Sequence, residues 1–286
     1  MKSPSSPRRR ARPHLGTLVD ITLDEPDEAR AQAAFEAAFA SVARVHHLMS
    51  AHDPDSELRR LSESAHWRAV RVHPDTARVL RLARAVHAES KGIFDVAAHT
   101  GAGGCTDDIV IDAEDRVRFK RPLWIDLGGI AKGFAVDCAI EVLQARGVAS
   151  ALVNAGGDMR CFGPAAYPVQ LRFSGGVRTV AMLKDAALAA SCNAVGAHAN
   201  ANATANSNAN ADADIESESA PTRSGVPHID ARTGLAMHRP ESVLVQARCA
   251  AVADALTKVA MVCAATADRA CLSMGAQWRS FDYHAA

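Results

Sequence analysis

The sequence predicts an α+β fold in which mixed sheets pack against helices. Strand-like and helix-like segments alternate along the 286 residues at irregular spacing, whereas parallel crossovers alone would give a more regular repeat. Hydrophobic residues make up 48% of the chain, which is enough to form a sizeable core. The patterned segments continue on both sides of one low-complexity stretch. We therefore expect a single domain over residues 14–286.

The N-terminal segment, residues 1–13, is expected to be a disordered basic arm. It contains Arg8, Arg9, Arg10 and Arg12. The LGTLVDITLD segment after it has no apolar run long enough for a signal peptide or a membrane span. A cytoplasmic location is therefore expected, and export stays open if the start of the chain is misassigned.

The first patterned elements are a strand and two helices. In residues 18–23, apolar and polar side chains alternate, which predicts a strand with one buried face. A long helix follows, because apolar side chains recur at three- and four-residue spacing and share one face. These are Phe35, Phe39, Val42, Val45 and Leu48. A second amphipathic helix is expected from Pro74 to Gly92.

The later elements lie on both sides of the low-complexity stretch. A third helix is predicted from Ala131 to Gly147, where glycine can take the left-handed terminal conformation, and the ASALV segment then predicts a short strand. Residues 196–225 contain almost no large apolar side chains, so we expect a disordered surface insertion. Patterned sequence resumes at VPHIDARTG and is expected to end in a helix, ADALTKVAMVCAA.

Charge and cysteine content exclude several classes of function. The 32 basic and 32 acidic residues cancel, so no long-range field would attract nucleic acid or an anionic membrane. The seven cysteines include no CxxC pair and suit a reducing compartment better than a disulfide framework.

Two glycine-rich turns carry the strongest chemical signal. WIDLGGIAKGFAVD, residues 124–137, reads as a strand-like start, paired glycines and a helix, whose N-terminus can bind phosphate. Asp126 and Lys132 flank this turn. VNAGGDMRCFG, residues 153–163, links a second glycine pair to Asp158. Each turn alone could be structural, the first as a tight connection and the second as a hairpin or bulge. Together they favour a small-molecule pocket.

These residues resemble the FAD:protein FMN transferases, the ApbE-like family. Members share a DLGGIAKGYAVD-like turn, an NxGGD/E segment, an HIIDPRTG-like segment and an ADALxT-like helix, in that order. Here the same order gives DLGGIAKGFAVD, NAGGDMR, HIDARTG and ADALTK. Upstream, LGTLVDITL, LMSAHDPDSEL and KGIFDVA are similar to further family segments. The resemblance implies a flavin site in a cleft between the glycine-turn segments and the C-terminal helix.

The resemblance also implies Mg²⁺, held through oxygen ligands at the FAD pyrophosphate. The ligands would be the carbonyl of Gly129, the carboxylate of Asp254 and a threonine hydroxyl. Lys258 stands where the family has that threonine, so either Thr257 supplies the hydroxyl, or Lys258 contacts the pyrophosphate and weakens the need for metal. The alternative for Asp254 is an ordinary solvated helix acid.

The flavin contacts implied by the resemblance are spread along the chain. They are Leu15, His52, Ile93, Phe94, Asp95, Asp126, Lys132 and Ile229. His52 replaces a family aromatic residue, and Phe94 could equally be a core residue. Ala190 and Ala231 depart from a family threonine and proline.

Proton transfer is assigned to the HIDARTG segment. His228 and Asp230 are the candidates for proton transfer or for polarising the pyrophosphate, with Lys132 neutralising phosphate charge. The alternative for His228 is a surface histidine. His46, His47 and His52 suggest a zinc site at first sight, but adjacent helix positions point in different directions and give poor ligand geometry.

The activity implied is Mg²⁺-dependent transfer of the FMN part of FAD to a threonine or serine hydroxyl of an acceptor flavoprotein, with release of AMP. Two alternatives remain open at this point. Water could replace the acceptor, which would make the chain an FAD pyrophosphatase. The chain could also bind or store FAD without catalysis, since Ala190 and Lys258 replace family threonines.

Overall fold

A computed structural model describes residues 7–98, 100, 103–173, 176–192, 228–237 and 241–282. The helices are α1 (Glu28–Met49), α2 (Glu57–Ser64), α3 (Pro74–Glu89), α4 (Ala131–Ala145), α5 (Ala250–Val262) and α6 (Ala264–Ser273). The strands are β1 (Arg8–His14), β2 (Thr17–Asp24), β3 (Val70–Arg71), β4 (Ile109–Ile111), β5 (Arg116–Phe119), β6 (Ser150–Ala155), β7 (Asp158–Phe162), β8 (Tyr167–Phe173), β9 (Gly176–Leu183), β10 (Ala187–Cys192), β11 (His228–Asp230), β12 (Leu235–Met237), β13 (Glu241–Ala247) and β14 (Gln277–Asp282).

The central element is a seven-stranded sheet with the order β1-β2-β6-β7-β10-β13-β14. Every pairing in it is antiparallel. Three smaller sheets are formed by β3-β5-β4, β8-β9 and β11-β12, and these are antiparallel too. Together with the helices, this confirms the predicted α+β class.

The helices form a layer over the main sheet. Helix α1 packs on α4, α4 packs on α5, and α5 lies against β10 and β13. The predicted apolar face of α1 is confirmed, because Phe35, Phe39, Val42 and Val45 are all buried in the core. Asp27 begins this helix by accepting a hydrogen bond from the backbone N–H of Arg30 at 2.8 Å. The predicted helices at Pro74 and Ala131 are confirmed as α3 and α4.

A second apolar cluster involves the β8-β9 hairpin. Leu152, Met159, Leu188 and Leu244 of the main sheet share it with side chains of the hairpin. The hairpin residues in the cluster are Tyr167, Val169, Leu171, Phe173 and Leu183. The chain thus buries apolar side chains of the main sheet in two clusters, one with the helices and one with this hairpin.

The expectation of a disordered basic arm is wrong for its second half. Residues 1–6 lie outside the described part of the chain, but Arg8–His14 form the edge strand β1. Two of its arginines form ion pairs: Arg9 contacts Asp20 at 2.6 Å, and Arg12 forms a two-pronged pair with Glu36. These contacts offset the charge that had indicated a solvated arm, and β1 also satisfies the backbone groups of β2.

The predicted strand at residues 18–23 is confirmed as β2, with a correction to its exposed face. Val19, Ile21 and Leu23 are buried as expected, but Asp20 and Thr22 are buried too. Sequence alternation alone does not show that a neighbouring element covers the polar face of a strand.

Two further expectations differ from the structure. The start of the first glycine turn is not a strand: Trp124 is held by hydrogen bonds with Thr100, and Asp126 N donates to the carbonyl of Val96 at 2.8 Å. The ordered chain also does not end at α5, since α6 and the edge strand β14 follow it. The predicted insertion at residues 196–225 lies outside the described residues. Among the described residues, none of the helices combines the length and hydropathy that a membrane span requires.

Candidate functional site

The candidate site lies where the N-terminal turn of α4 meets α5. The two helices approach so closely that a Cβ atom added to Gly133 would lie 2.2 Å from the carbonyl oxygen of Ala250. Only glycine fits there without a backbone shift. This close approach brings the beginning of α4 next to Asp254, which lies one turn inside α5.

Asp254 is the buried centre of the site, with 0% exposure. Its Oδ2 atom accepts a hydrogen bond from Gly133 N at 3.2 Å and lies 3.5 Å from the ammonium of Lys132. Its Oδ1 atom accepts a hydrogen bond from the ammonium of Lys258, four residues later on the same face of α5. Both carboxylate oxygens are therefore engaged by protein donors.

Lys258 has further oxygen partners besides Asp254. Its Nζ atom lies 3.1 Å from Thr257 Oγ1 and 3.5 Å from Ser191 Oγ, which comes from strand β10. Thr257 Oγ1 donates to the backbone carbonyl of Asp254 at 2.7 Å and lies 2.8 Å from Ser191 Oγ. Ser191 and Thr257 are both buried, so the ammonium contacts two hydroxyl groups inside the fold.

Asp158 completes the cluster from the second glycine turn. Gly156 and Gly157, both with positive φ, connect β6 to β7, and the ladder pairs Ala155 with Asp158. This confirms the hairpin interpretation of the segment. The buried carboxylate of Asp158 then pairs with the ammonium of Lys132. We call Lys132, Asp158, Asp254 and Lys258 the charge cluster.

The charges of the cluster shift the pKa values of its members. Burial and the nearby charge of Asp254 raise the pKa of Asp158 to about 6, in spite of the opposing effect of Lys132. Burial alone would raise the pKa of Asp254 and lower that of Lys132. The ammonium groups of Lys132 and Lys258 outweigh burial at Asp254 and lower its pKa, while the two carboxylates raise that of Lys132.

The first glycine turn borders the cluster. Gly128 N donates to Asp126 Oδ1 at 2.7 Å, which fixes the turn. A Cβ atom added to Gly129 would lie 3.3 Å from the ring of Phe94 and 3.7 Å from Cε of Lys258. The side chains of Lys132 and Lys258 keep 31% and 22% exposure, so both are partly accessible to solvent. Such an arrangement suits a polyanionic ligand.

A family model described as the ApbE family matches residues 15–103 and 101–277, which include both glycine turns and α5. The chain belongs to the ApbE family. The resemblance read from the sequence motifs is thereby confirmed.

Three proteins similar to this ApbE-family chain share between 19% and 29% identity with it. It is 29% identical over 176 residues to the FAD:protein FMN transferase of Rhodobacter capsulatus, a match covering 52% of this chain. The match covers only 34% of that relative, about a third of its length. The crystal structure of the ApbE protein from Thermotoga maritima has a TM-score of 0.71 at 23% identity, covering 96% of this chain and 93% of the other. The flavin transferase ApbE from Vibrio cholerae also gives 0.71, at 19% identity, covering 96% and 94%. These likenesses establish the fold.

Several of the predicted site residues come together in this ApbE-family chain. Gly129, Lys132, Asp254, Thr257 and Lys258 all belong to the charge cluster or border it. The interpretation of Asp254 as a solvated helix acid is wrong, because the residue is fully buried. Its partners on α4, Lys132 and Gly133, are far away in sequence, so periodicity alone could not show this burial.

Of the predicted flavin contacts at residues 93–95, Phe94 borders the glycine turn and the other two have structural surroundings. Phe94 borders Gly129, and both Phe94 and Ile93 are buried in the core. The carboxylate of Asp95 accepts hydrogen bonds from the backbone of Ala97 and from the backbone and hydroxyl of Thr106, at 2.8 to 3.1 Å. Asp95 therefore holds its own loop in place.

Leu15 and His52 lie outside the hydrogen-bonded cluster. Leu15 occupies the turn between β1 and β2 with φ of 55°, and His52 lies in an exposed loop after α1. Their roles at the flavin remain predictions.

The HIDARTG segment forms the start of a small hairpin. His228 and Ile229 belong to β11 and pair with Met237 and Ala236 of β12, but their side chains lie outside the described part of the structure. Their roles remain predictions. The carboxylate of Asp230 is held by Arg232 in a two-pronged contact at 3.1 and 2.9 Å, which lowers its pKa. A carboxylate held this way is a weak base, so His228 is the stronger of the two candidates for proton transfer.

Three residues of the site were absent from the sequence-based assignment. Asp158 had a signal, since it follows a glycine pair, but nothing in the sequence connected it to Lys132. Gly133 lies inside the recognised turn motif, where its part in the close approach of α4 and α5 was not apparent. Ser191 lies in a strand of small residues and carried no signal.

The ligands expected for Mg²⁺ do not fit the ion as the structure arranges them. Both oxygens of Asp254 already accept hydrogen bonds from cationic or backbone donors. Thr257 Oγ1 uses its single hydrogen on the carbonyl of Asp254, and Ser191 and Lys258 lie at its two acceptor positions. An ammonium thus occupies the place between the oxygens that a divalent ion would need.

Proposed function

We propose that this ApbE-family protein transfers the FMN part of FAD to a threonine or serine hydroxyl of an acceptor flavoprotein and releases AMP. One observation carries the proposal: two ammonium groups converge beside the glycine turn at the N-terminal end of α4. A pyrophosphate between two nucleoside-like groups is the polyanion that such a turn can receive. Family membership and the name of the Rhodobacter capsulatus relative support the choice of FAD.

The proposed reaction is a substitution at the phosphorus of the FMN half. The acceptor hydroxyl oxygen bonds to this phosphorus, and the bond from it to the bridging oxygen breaks. AMP leaves with the bridging oxygen, and the hydroxyl proton passes to a base, for which His228 is the candidate. Lys132 and Lys258 would offset the charge that develops on the phosphate oxygens.

The protein residues contribute mainly by positioning. Lys132 is held by Asp158 and Asp254, and Lys258 by Asp254, Thr257 and Ser191, so neither ammonium has to reorganise when the phosphates bind. The glycine turn lets the ligand approach the protein backbone closely, because Gly128 and Gly129 have no side chain. Phe94 is buried against Gly129 and supports the turn from the core side.

The Mg²⁺ requirement implied by the sequence resemblance stays a prediction. Its expected side-chain ligands, Asp254 and Thr257, already contact Lys258, and Thr257 is hydrogen-bonded to Asp254. The cations of the proposed reaction are therefore those of the chain itself.

The test is incubation of the purified protein with FAD, with and without candidate acceptor flavoproteins, followed by mass spectrometry. Transfer predicts a covalent FMN on an acceptor threonine or serine and one AMP for each FMN attached. Free FMN and AMP without an acceptor would instead identify an FAD pyrophosphatase. FAD recovered intact in all mixtures would leave a binding or storage protein and would overturn the proposal.

A matched pair of variants controls this test. Lys132→Met removes a charge of the cluster and keeps a side chain of similar length, so it should abolish most transfer. Lys184→Met removes an exposed lysine at the β9-β10 turn and should leave transfer unchanged. Equal loss in both variants would mean that the charge cluster is not the reacting site.

A further inference from the structure

We propose that the ammonium of Lys258 occupies the cation position of this site, so that the protein binds the FAD pyrophosphate without a divalent ion at Asp254. The inference rests on the proposed function, because FAD supplies the anion. It deepens that function by identifying the cation as a side chain of the protein.

The first argument is the match between donors and acceptors. An ammonium carries three N–H donors, and three oxygens surround Nζ of Lys258: Oδ1 of Asp254, Oγ1 of Thr257 at 3.1 Å and Oγ of Ser191 at 3.5 Å. Two of these atoms belong to residues expected to hold the metal. Lys258, which departs from the family pattern, therefore binds the same side-chain oxygens that were expected to bind Mg²⁺.

The second argument is the charge balance. The charge cluster contains two ammonium groups and two carboxylates, so opposite charges are matched before any ligand binds. A divalent ion at Asp254 would lie in contact with the ammonium of Lys258 and would be repelled by it. The ion could enter only if Lys258 moved away, leaving three oxygens of the pocket without their present donor.

The third argument is position. The stem of Lys258 runs past the first glycine turn, with its Cε and Cγ atoms 3.7 and 3.8 Å from a Cβ atom added to Gly129. The ammonium is thus held between the buried carboxylate and the turn that would face the pyrophosphate. Because its three N–H donors already have oxygen partners, the ammonium would act on a bound anion through its charge, and the side chain keeps 22% exposure.

The decisive experiment measures Mn²⁺ binding to FAD-free protein by electron paramagnetic resonance, because Mn²⁺ accepts the same oxygen ligands as Mg²⁺. Wild type should hold no Mn²⁺ that depends on Asp254. Lys258→Thr should gain roughly one bound Mn²⁺ per chain, since it removes the ammonium and offers a hydroxyl. The added mutation Asp254→Asn should abolish that gain, and the exposed control Lys184→Thr should behave as wild type.

The result that overturns the inference is Mn²⁺ bound by wild type and released by Asp254→Asn. Failure of folded Lys258→Thr to gain Mn²⁺ would also overturn it. If that variant does not fold, FAD titration of Lys258→Met provides the second measurement, because this change keeps the length of the side chain and loses only the charge and the donors.

Fluorescence titration with FAD, in EDTA and in millimolar Mg²⁺, separates the inference from the proposed function. Wild type should bind FAD equally in both, and Lys258→Met should bind about tenfold more weakly in both. Lys258→Thr should lose about tenfold in EDTA and recover in Mg²⁺. If no protein binds FAD under any condition, the proposed function fails, while Mn²⁺ binding still decides which cation fills the site. A wild type that binds FAD only with Mg²⁺ overturns the inference alone.

Discussion

Two buried aspartates occupy related positions where α4 and α5 cross, one from each helix. Asp137 of α4 accepts hydrogen bonds from the first two N–H groups of α5, those of Ala250 and Ala251, both at 2.9 Å. Asp254 of α5 accepts a hydrogen bond from Gly133 N in the first turn of α4 at 3.2 Å. Each helix therefore supplies a carboxylate to the N-terminal end of the other.

The cations around the two carboxylates differ. Asp137 has one, Arg160 at 2.8 Å, while Asp254 has the ammonium groups of Lys132 and Lys258. Burial outweighs the hydrogen bonds at Asp137 and raises its pKa, whereas the two ammonium groups outweigh burial at Asp254 and lower its pKa. Asp137 fits the role of a structural cap. Asp254 fits the role of a counter-charge that holds cations ready for an anion.

The largest expected effect comes from Asp254→Asn. The change keeps the shape of the side chain but leaves two ammonium groups with one carboxylate between them, and the new amide N–H₂ would face a cation. Removing one partner of a buried ion pair costs about 3 kcal/mol or more, so the free energy of unfolding should fall by that amount. FAD cleavage should fall with it.

Chemical denaturation and an FAD cleavage assay on the folded fraction measure the two effects separately. A loss of stability like that of Asp137→Asn together with unchanged cleavage would show that Asp254 is no more than a cap, and the contrast with Asp137 would disappear.

Gly133→Ala should have the next largest effect, because it disturbs the packing of α4 against α5 and should lower the stability of the fold. The new methyl group would meet the carbonyl of Ala250 at 2.2 Å, which is backbone and cannot rotate away. We expect a loss of about 2 to 3 kcal/mol, as found when cores are overpacked. Gly128→Ala is the matched control, because its Cβ would meet only the side-chain oxygen of Asp126, at 3.1 Å. Equal stability of the two variants, measured by thermal denaturation, would contradict the close approach of α4 and α5.

Asp137→Asn should separate structure from binding. It retains one oxygen acceptor but places an amide N–H₂ against a backbone N–H of α5 and removes the charge facing Arg160. The expected loss of stability is about 1 to 3 kcal/mol, the cost of an unsatisfied buried donor. FAD affinity, measured by fluorescence titration at a temperature where the variant is folded, should not change. A drop in affinity as large as that of Asp254→Asn would show that the two carboxylates act as one unit.

Much of the fold could be predicted because its signals are local. The period of Phe35, Phe39, Val42 and Val45 defines α1 within the sequence of that helix. The strand β1 could not be found in this way, because the partners of its arginines, Asp20 and Glu36, come from other elements. Side-chain charge indicated a solvated arm, and tertiary pairing determined a strand.

The candidate site also contains residues with a local signal and residues without one. Lys132 and Asp254 could be found because each lies within a recognisable sequence motif. That Lys258 binds Ser191 could not be found, because 67 residues separate them and the contact depends on how α5 packs on β10. The sequence did show that Lys258 departs from the family pattern, but only the packing shows which oxygens receive its ammonium.

The smallest expected effect is that of Ser191→Ala, which removes one hydroxyl group next to the ammonium of Lys258. The change removes the most distant of the three oxygens around the ammonium, at 3.5 Å, and one partner of Thr257, at 2.8 Å. Stability should fall by about 1 kcal/mol, the typical net value of one hydrogen bond. Asp254 and Thr257 still hold the ammonium, and its partial exposure lets water replace the lost oxygen, so FAD affinity should fall by less than about threefold. Fluorescence titration of this variant beside Lys258→Met provides the comparison. If Ser191→Ala lost as much affinity as Lys258→Met, Ser191 itself would contact the ligand, and the ammonium would not be the group that binds the pyrophosphate.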